Sequence, residues 1–380
     1  SLAKILETPN MRSSRQVWDA PLSPESLDSA AFRLEPRCWQ PATRRRLEAL
    51  IRAGAGLRLP VAFDFDNTLV CGDIGEATLA LLVRDGRIRA DQVPALVAPE
   101  FRARTGERVS PRGTADLTAY YEAFLAPTAH GDLDPTPLAN GYVWAATVMQ
   151  GLSVDQVVTA SQQVFALSRP GRRILLEVTP GRTAYPVPFF YPEMVELLGL
   201  LLEHDFDVWV VSASNVWSVR WMVLEVLNPL LRSAGVRQWI RADHVIGVST
   251  LLEDRQQRFY KDPVLVRTDP AYARLDRRAL ARFRLSSQLH FPAPIYSGKV
   301  AALWDALGRS PFLAAGDSPG DLPMLAFAQN RLWIARANKR AYQTAMTACR
   351  RATGARNWLI QPTQTAEQPG FRSRKPHTRD

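Results

Sequence analysis

Cysteine is scarce in this chain: Cys38, Cys71 and Cys349 are the only three in 380 residues. Their number is odd and no two form a C-x-x-C pair. That excludes a disulfide scaffold and a cysteine-built zinc site, and it favours a reducing compartment. Long apolar runs are missing as well. None approaches the roughly 18 residues that a membrane span needs, so no membrane partner is expected. The first residues, SLAKILETPNMRSSRQ, lack the apolar core and cleavage site of a signal peptide. The resulting expectation is a cytoplasmic protein, or a periplasmic one if a signal peptide precedes this segment. Lysine is also rare. Five lysines (4, 261, 299, 339 and 375) stand among 47 basic residues, and the other 42 are arginines. A lysine at a chemically suggestive place therefore carries more information than an arginine would.

What is present is the composition of an ordinary globular protein, 46% apolar and 22% charged, with length for about two domains. The net charge of +10 could serve a nucleic acid. The arginines are scattered, however, and no RNA- or DNA-binding motif accompanies them, so no nucleic-acid partner is expected.

Apolar periodicity divides the chain. PATRRRLEALIRAGAG (41–56) reads as a helix and LPVAFDFD (59–66) as a buried parallel-type strand. Residues 73–170 show helical spacing throughout, and a Pro/Gly-rich linker follows. From 191 helices and strands alternate, which implies βαβ units and a parallel sheet; HVIGVS and PVLVRT read as short strands. The predicted organisation is an N-terminal extension (1–42), an α/β core (43–72 and 191–362), a helical insert with its linker (73–190) and a disordered basic tail (363–380). The insert follows directly on the first strand, whose carboxyl end is where open α/β sheets bind ligands.

Polar residues gather at those strand ends. Asp64 and Asp66 in VAFDFDNTLV point to one side of an extended chain and would repel each other without a cation. Hard oxygen ligands suit Mg²⁺. The same residues, with Asn67 and Thr68, also suit a helix cap. Ser212 is the first polar residue after VWVV, either a hydroxyl for an anionic oxygen or an ordinary strand terminator. Lys299 opens the helix SGKVAALWDALG, and as a compact charge it can pack against a phosphoryl oxygen and a carboxylate together. In GDSPGD, Asp317 and Asp321 flank a tight turn, as ligands or as first-turn acids of a helix.

An acid pair, a serine, a lysine and a G-D-x-x-x-D turn, in that order, resemble the four motifs of haloacid dehalogenase-like phosphatases over about residues 43–362. The early helical insert resembles the cap of phosphoserine phosphatases. PATRRRLEALIRAG, VIGVSTLLEDR and RLWIAR resemble bacterial phosphorylcholine phosphatases. The resemblance implies a three-layer Rossmann-like α/β core with a parallel sheet and a mostly helical cap inserted after its first strand. It implies Mg²⁺-dependent hydrolysis of a small-molecule phosphomonoester, such as phosphoserine or phosphocholine. Asp64 would be nucleophile and Asp66 acid/base. Mg²⁺ would sit on Asp64, Asp317 and the Asp66 backbone carbonyl. Ser212, Lys299 and Asn67 would hold the phosphoryl oxygens, Asn67 alternatively shaping its turn, and Asp321 would orient Lys299 or a metal-bound water. A phosphotransferase using the same aspartyl-phosphate, and an idle fold used for binding, are the alternatives.

The candidates for substrate choice are Asp73 and Glu76, acids that could meet a cationic head group, and the cap aromatics Tyr120, Tyr121, Tyr142 and Trp144. Against these stand an N-cap at Asp73 with Glu76 as its capping-box partner, and aromatic packing within the cap. His204 and His244 read as structural.

Overall fold

The short apolar runs bounded by turns do form strands of one sheet. They are β1 (Pro60–Phe63), β2 (Asp207–Asn215), β3 (Val245–Val248), β4 (Leu313–Gly316), β5 (Asn330–Arg336), β6 (Trp358–Gln364) and β7 (Gly370–Phe371). Their spatial order in the computed structural model is β7-β6-β5-β4-β1-β2-β3. All neighbours are parallel except β7, which runs antiparallel to β6. The structure describes residues 32–36, 38–94, 97–103, 105–129, 141–364 and 368–373, with backbone only at 126–129. Residues from Leu34 onward form one folding unit, and residues 1–31 of the expected extension lie outside the described ones. β1 and β4 are buried along their whole length, which an all-apolar strand requires when helices cover both faces of a sheet. From β1 the chain fills β2 and β3 on one side, then crosses to β4 on the other. The carboxyl end of β1 is thus the switch point where such sheets take ligands.

The helices that matter for the site are α1 (Pro41–Gly54), α2 (Ile74–Arg84), α3 (Leu117–Ala129), α4 (Gly141–Thr147), α5 (Val154–Ala166), α6 (Pro192–Glu203), α7 (Ser297–Leu307) and α8 (Arg340–Ala352). The insert carrying α2–α5 is pinched at its root, where Val70–Cys71 pairs antiparallel with Phe189–Phe190. Asp73 caps α2 by accepting from the Glu76 N–H at 2.8 Å. Tyr120, Phe124, Phe101 and Trp144 pack ring on ring in the insert. A second excursion, between β3 and α7, forms the antiparallel sheet Thr250–Glu253, Phe259–Tyr260 and Arg284–Leu289. It grips the cap through backbone bonds Gly151 N–H to Leu285 O, Leu285 N–H to Leu152 O and Val154 N–H to Phe283 O. Among the described residues no helix is long and apolar enough to cross a membrane.

Three features differ from the sequence expectation. PVLVRT lies in a helix, Asp262–Thr268, with Pro263 in its first turn; a short β-branched run cannot by itself distinguish helix from strand. The insert and its linker contain hairpins, Phe101–Arg102 with Arg108–Val109 and Leu175–Thr179 with Thr183–Pro186. The second of these turns on Gly181, whose φ of 67° suits glycine. The expected disordered tail begins inside β6 and continues into β7. Phe371 packs on Trp39 and Tyr191 at ring distances of 5.1 and 5.0 Å. The Gln361 amide ties the two chain ends together, accepting from Gln40 N–H and donating to the carbonyls of Cys38 and Arg372. The tail looked polar because the single large apolar residue that anchors it sits among charged neighbours. Residues 374–380 lie outside the described ones.

Candidate active site

Asp64 is the first residue past β1, at the switch point, and its N–H donates to Ala315 O of β4. Its carboxylate is fully engaged. Oδ1 accepts from Lys299 Nζ at 2.6 Å and Oδ2 from Thr68 Oγ1 at 2.8 Å. Lys299, in the first turn of α7, also donates to Asp321 Oδ1 at 2.6 Å, and both partners are buried. The residue before α7, Tyr296, has φ 47° and ψ −121°. That conformation costs a non-glycine residue on the order of 1–3 kcal/mol. Packing of Ile295 and Tyr296 with Val143, Ala146, Val248 and Ala293 holds it and so aims α7.

Asp321 returns to the site through the turn after β4. Its Oδ2 accepts from Asp317 N–H, Ser318 N–H and Ser318 Oγ, each at 3.1 Å. Only glycine permits that return, because a Cβ at Gly316 would lie 2.5 Å from Asp321 Cβ. Carboxylate oxygens of Asp64, Asp317 and Asp321 lie within 4.8 Å of one another, and all three residues are buried. Asp317 Oδ2 is buried with no hydrogen bond. Three clustered carboxylates, one oxygen of which accepts no hydrogen bond, fit a divalent cation such as Mg²⁺.

Asp66 faces another way. Its oxygens accept from Ile74 N–H at 2.8 Å and Ser212 Oγ at 3.0 Å, so its carboxylate stands apart from the three-acid cluster. Ser212 is fully buried, and its hydroxyl also accepts from Ser214 N–H at 3.0 Å. The residues that face the cavity beside Asp64 are Ala213 and Ser214 rather than Ser212. Asn67 adopts a left-handed φ of 59°, and its Oδ1 accepts from Gly72 N–H. It shapes the turn, as one reading of the sequence held, and it also lines the cavity.

That cavity holds about 60 Å³ and is lined by the acid–lysine cluster together with Asp73, Tyr142, Tyr296, Arg336 and Tyr342. A second cavity of about 410 Å³ adjoins it, sharing Asn67, Asp73 and Arg336. Arg336 ends β5, and its Nε lies 2.7 Å from Asp317 Oδ2. Sequence reasoning missed Arg336, Ser214, Tyr296 and Tyr342. The strand-end rule would have found Arg336 had it been applied to RLWIAR; the others have no local signal.

Burial dominates the electrostatics. It pushes Asp64 up to about 7, with help from Asp321 and against the pull of Lys299. Burial and the neighbouring Asp73 hold Asp66 well above the ordinary carboxyl range. Burial lifts Asp317 to about 8 despite Arg336. Burial alone would lower Lys299, but Asp321 and Asp64 hold its ammonium above the usual value. The acids outnumber the buried cations, which is the imbalance that a divalent ion removes.

The candidates for substrate choice separate. Asp73 faces both cavities and accepts from Ser214 Oγ at 3.2 Å. Burial and Glu76 raise it to about 8. Glu76 lines the larger cavity and accepts from Tyr121 OH at 3.0 Å. No reciprocal capping-box bond accompanies the Asp73 cap. Tyr120 is buried, donates to Pro99 O and packs within the cap. Tyr121 and Trp144 are buried as well, their rings stacked 6.0 Å apart. Tyr142 reaches the cavity beside Asp64. His244 stacks on Trp209 at 4.1 Å and His204 ends α6; neither lines the catalytic cavity.

A family model of haloacid dehalogenase-like hydrolases matches residues 61–326. The chain is 26% identical to the phosphorylcholine phosphatase of Pseudomonas aeruginosa over 350 residues, 85% of this chain and 90% of that one. The crystal structure of a conserved, functionally unknown protein from Anaerococcus prevotii superposes with a TM-score of 0.59 at 17% identity. That superposition covers 90% of this chain and 97% of the other, and it shows a shared fold.

Proposed function

Because the chain belongs to the haloacid dehalogenase-like hydrolase family, we propose that it is a Mg²⁺-dependent phosphatase of small phosphomonoesters, working through an aspartyl-phosphate at Asp64. The observation that carries this is the placement of Asp64 at the sheet's switch point, bonded to Lys299 and beside Asp317 and Asp321.

Asp64 attacks phosphorus in line and the ester oxygen leaves. Asp66, whose carboxyl burial and the neighbouring Asp73 push up, gives its proton to that oxygen and then takes one from the water that hydrolyses the intermediate. Ile74 N–H and Ser212 hold Asp66 in place through both steps. Lys299 neutralises equatorial phosphoryl oxygens, Asn67 donates its amide to another, and Ser214, which faces the cavity, takes over the contact the sequence assigned to Ser212. Asp321 orients Lys299. Asp64, Asp317 and the Asp66 backbone carbonyl would hold Mg²⁺, with Asp321 within reach. The bound ion supplies charge neutralisation between nucleophile and phosphoryl group.

The leaving group is an amino alcohol in this reading. Asp73, Tyr142, Tyr296 and Tyr342 line the smaller cavity, an acidic and aromatic surround that suits an ammonium group, while the larger cavity mixes Asp73, Glu76 and Glu122 with Arg172, Arg173, Arg336 and Lys339. The name of the Pseudomonas relative supports the same class. A panel of phosphorylcholine, phosphoethanolamine, phosphoserine and glycerol phosphate, assayed with and without EDTA, tests it. EDTA should abolish turnover. A bound ammonium would draw the raised Asp73 carboxyl into its charged form, so Asp73→Asn should raise KM for the cationic esters by roughly tenfold or more while sparing glycerol phosphate. An equal KM change for all four substrates would remove Asp73 from substrate choice, and turnover that survives EDTA would refute the metal requirement.

A further inference from the structure

The three clustered acids are not equally committed. Asp64 has a directional donor on each oxygen, and Asp321 has four. Asp317 is different. Its Oδ2 is buried without a hydrogen bond, and so is the Arg336 Nε that lies 2.7 Å from it. The two are paired by charge but not aligned as donor and acceptor. Such a contact exchanges more readily than a bidentate, hydrogen-bonded pair such as Arg220 with Asp262, where Nη1 and Nη2 meet Oδ1 and Oδ2 at 3.0 and 2.6 Å. Arg336 also has a second partner at hand. Its guanidinium carbon lies 5.2 Å from the Tyr342 ring centre, and Tyr342 lines the catalytic cavity. Arg336 lies beyond the residues 61–326 that match the family model.

We propose that Arg336 is the resident counter-ion of Asp317 and a positioning residue of the catalytic cycle. A divalent cation displaces it from Asp317, and the freed guanidinium, resting on Tyr342, then faces the phosphoryl group of the substrate. Charge supports this order. Without the ion, Asp64, Asp66, Asp317 and Asp321 share two buried cations, Lys299 and Arg336, and Arg336 is needed to keep Asp317 tolerable in the interior. Once a divalent ion has arrived, Arg336 is surplus to the acids and matches an incoming dianion in the cavity it lines. The ion and Arg336 therefore compete for one carboxylate, and ion and phosphate favour each other through the released arginine.

The inference rests on the phosphatase reading, and binding measurements separate the two. Mg²⁺ is titrated by calorimetry into the full chain and into Arg336→Gln and Arg336→Lys. Inorganic phosphate is then titrated at saturating Mg²⁺. Circular dichroism checks that each variant is folded; if Arg336→Gln is not, Arg336→Lys carries the comparison, its shorter cation leaving Asp317 less covered. Arg336→Gln should bind Mg²⁺ roughly three- to tenfold more tightly than the wild type, and phosphate roughly tenfold more weakly. Arg336→Lys should fall between them on both. An arginine that only supports the fold would leave both affinities unchanged in a folded variant. Unchanged or weaker Mg²⁺ binding, or unchanged phosphate binding, overturns the inference and leaves the phosphatase reading intact. A wild-type protein that binds no Mg²⁺ overturns both.

Discussion

At the scale of the residue, the site is a set of carboxylates held at unequal energies by their surroundings. Asp64, Lys299, Asp317 and Asp321 were legible in the sequence because each lies at a strand end or helix start next to a turn residue that has no other evident purpose. Their convergence follows from strand order together with the backbone at Tyr296 and Gly316. Arg336 was passed over because arginine is the chain's default cation, so one more at the end of RLWIAR carried no contrast. Ser214 was hidden behind Ser212, since alternation along a strand shows which residues share a face but not which face meets the cavity. Asp73 offers a direct test of the electrostatics. Its carboxyl is raised from 3.8 to about 8, so the folded state binds that proton more tightly than the unfolded one. The proton's stabilisation is present in full below about pH 4 and is lost as the pH rises through 8. Asp73→Asn keeps a good N-cap and removes the titration. Urea denaturation in the presence of chelator should find the variant close to the wild type at pH 5 and more stable by about 1–3 kcal/mol at pH 8.5. Parallel stability profiles across that range would show that the carboxyl is not held neutral by the fold.

At the scale of the element, the parallel sheet and the order of its helices were readable from apolar runs alternating with periodic segments. The errors fell where segments are short. PVLVRT has β-branched residues and too few positions to show a period, while Pro263 at its start decides for helix. The hairpins of the insert are too short to rise above the helical pattern around them. The end of the chain was misjudged for a related reason. Strand β7 has only two residues, yet Phe371 is buried against Trp39 and Tyr191. Phe371→Ala should lower unfolding stability by about 3 kcal/mol, as a buried aromatic truncation does. Chemical denaturation reads this directly. A loss below about 0.5 kcal/mol would place the segment among surface substitutions instead.

At the scale of the whole molecule, a basic protein keeps an acidic interior at one point and closes a cap over it. The cap is fastened at its root by Val70–Cys71 with Phe189–Phe190 and again by the sheet that follows β3. The cap's first helix, α2, begins on the residue proposed as general acid, through Ile74 N–H to Asp66. Cap position and the position of the Asp66 carboxylate are therefore one feature. The central claim is that Asp64 carries the phosphoryl group. Acid quench of the enzyme during turnover of its best phosphomonoester, followed by peptide mass spectrometry, tests it most directly. The account predicts one phosphoryl group on the peptide containing VAFDFDNTLV, located at Asp64, and none in Asp64→Asn. Full turnover by Asp64→Asn, or a phosphoryl group trapped on another residue, would contradict it.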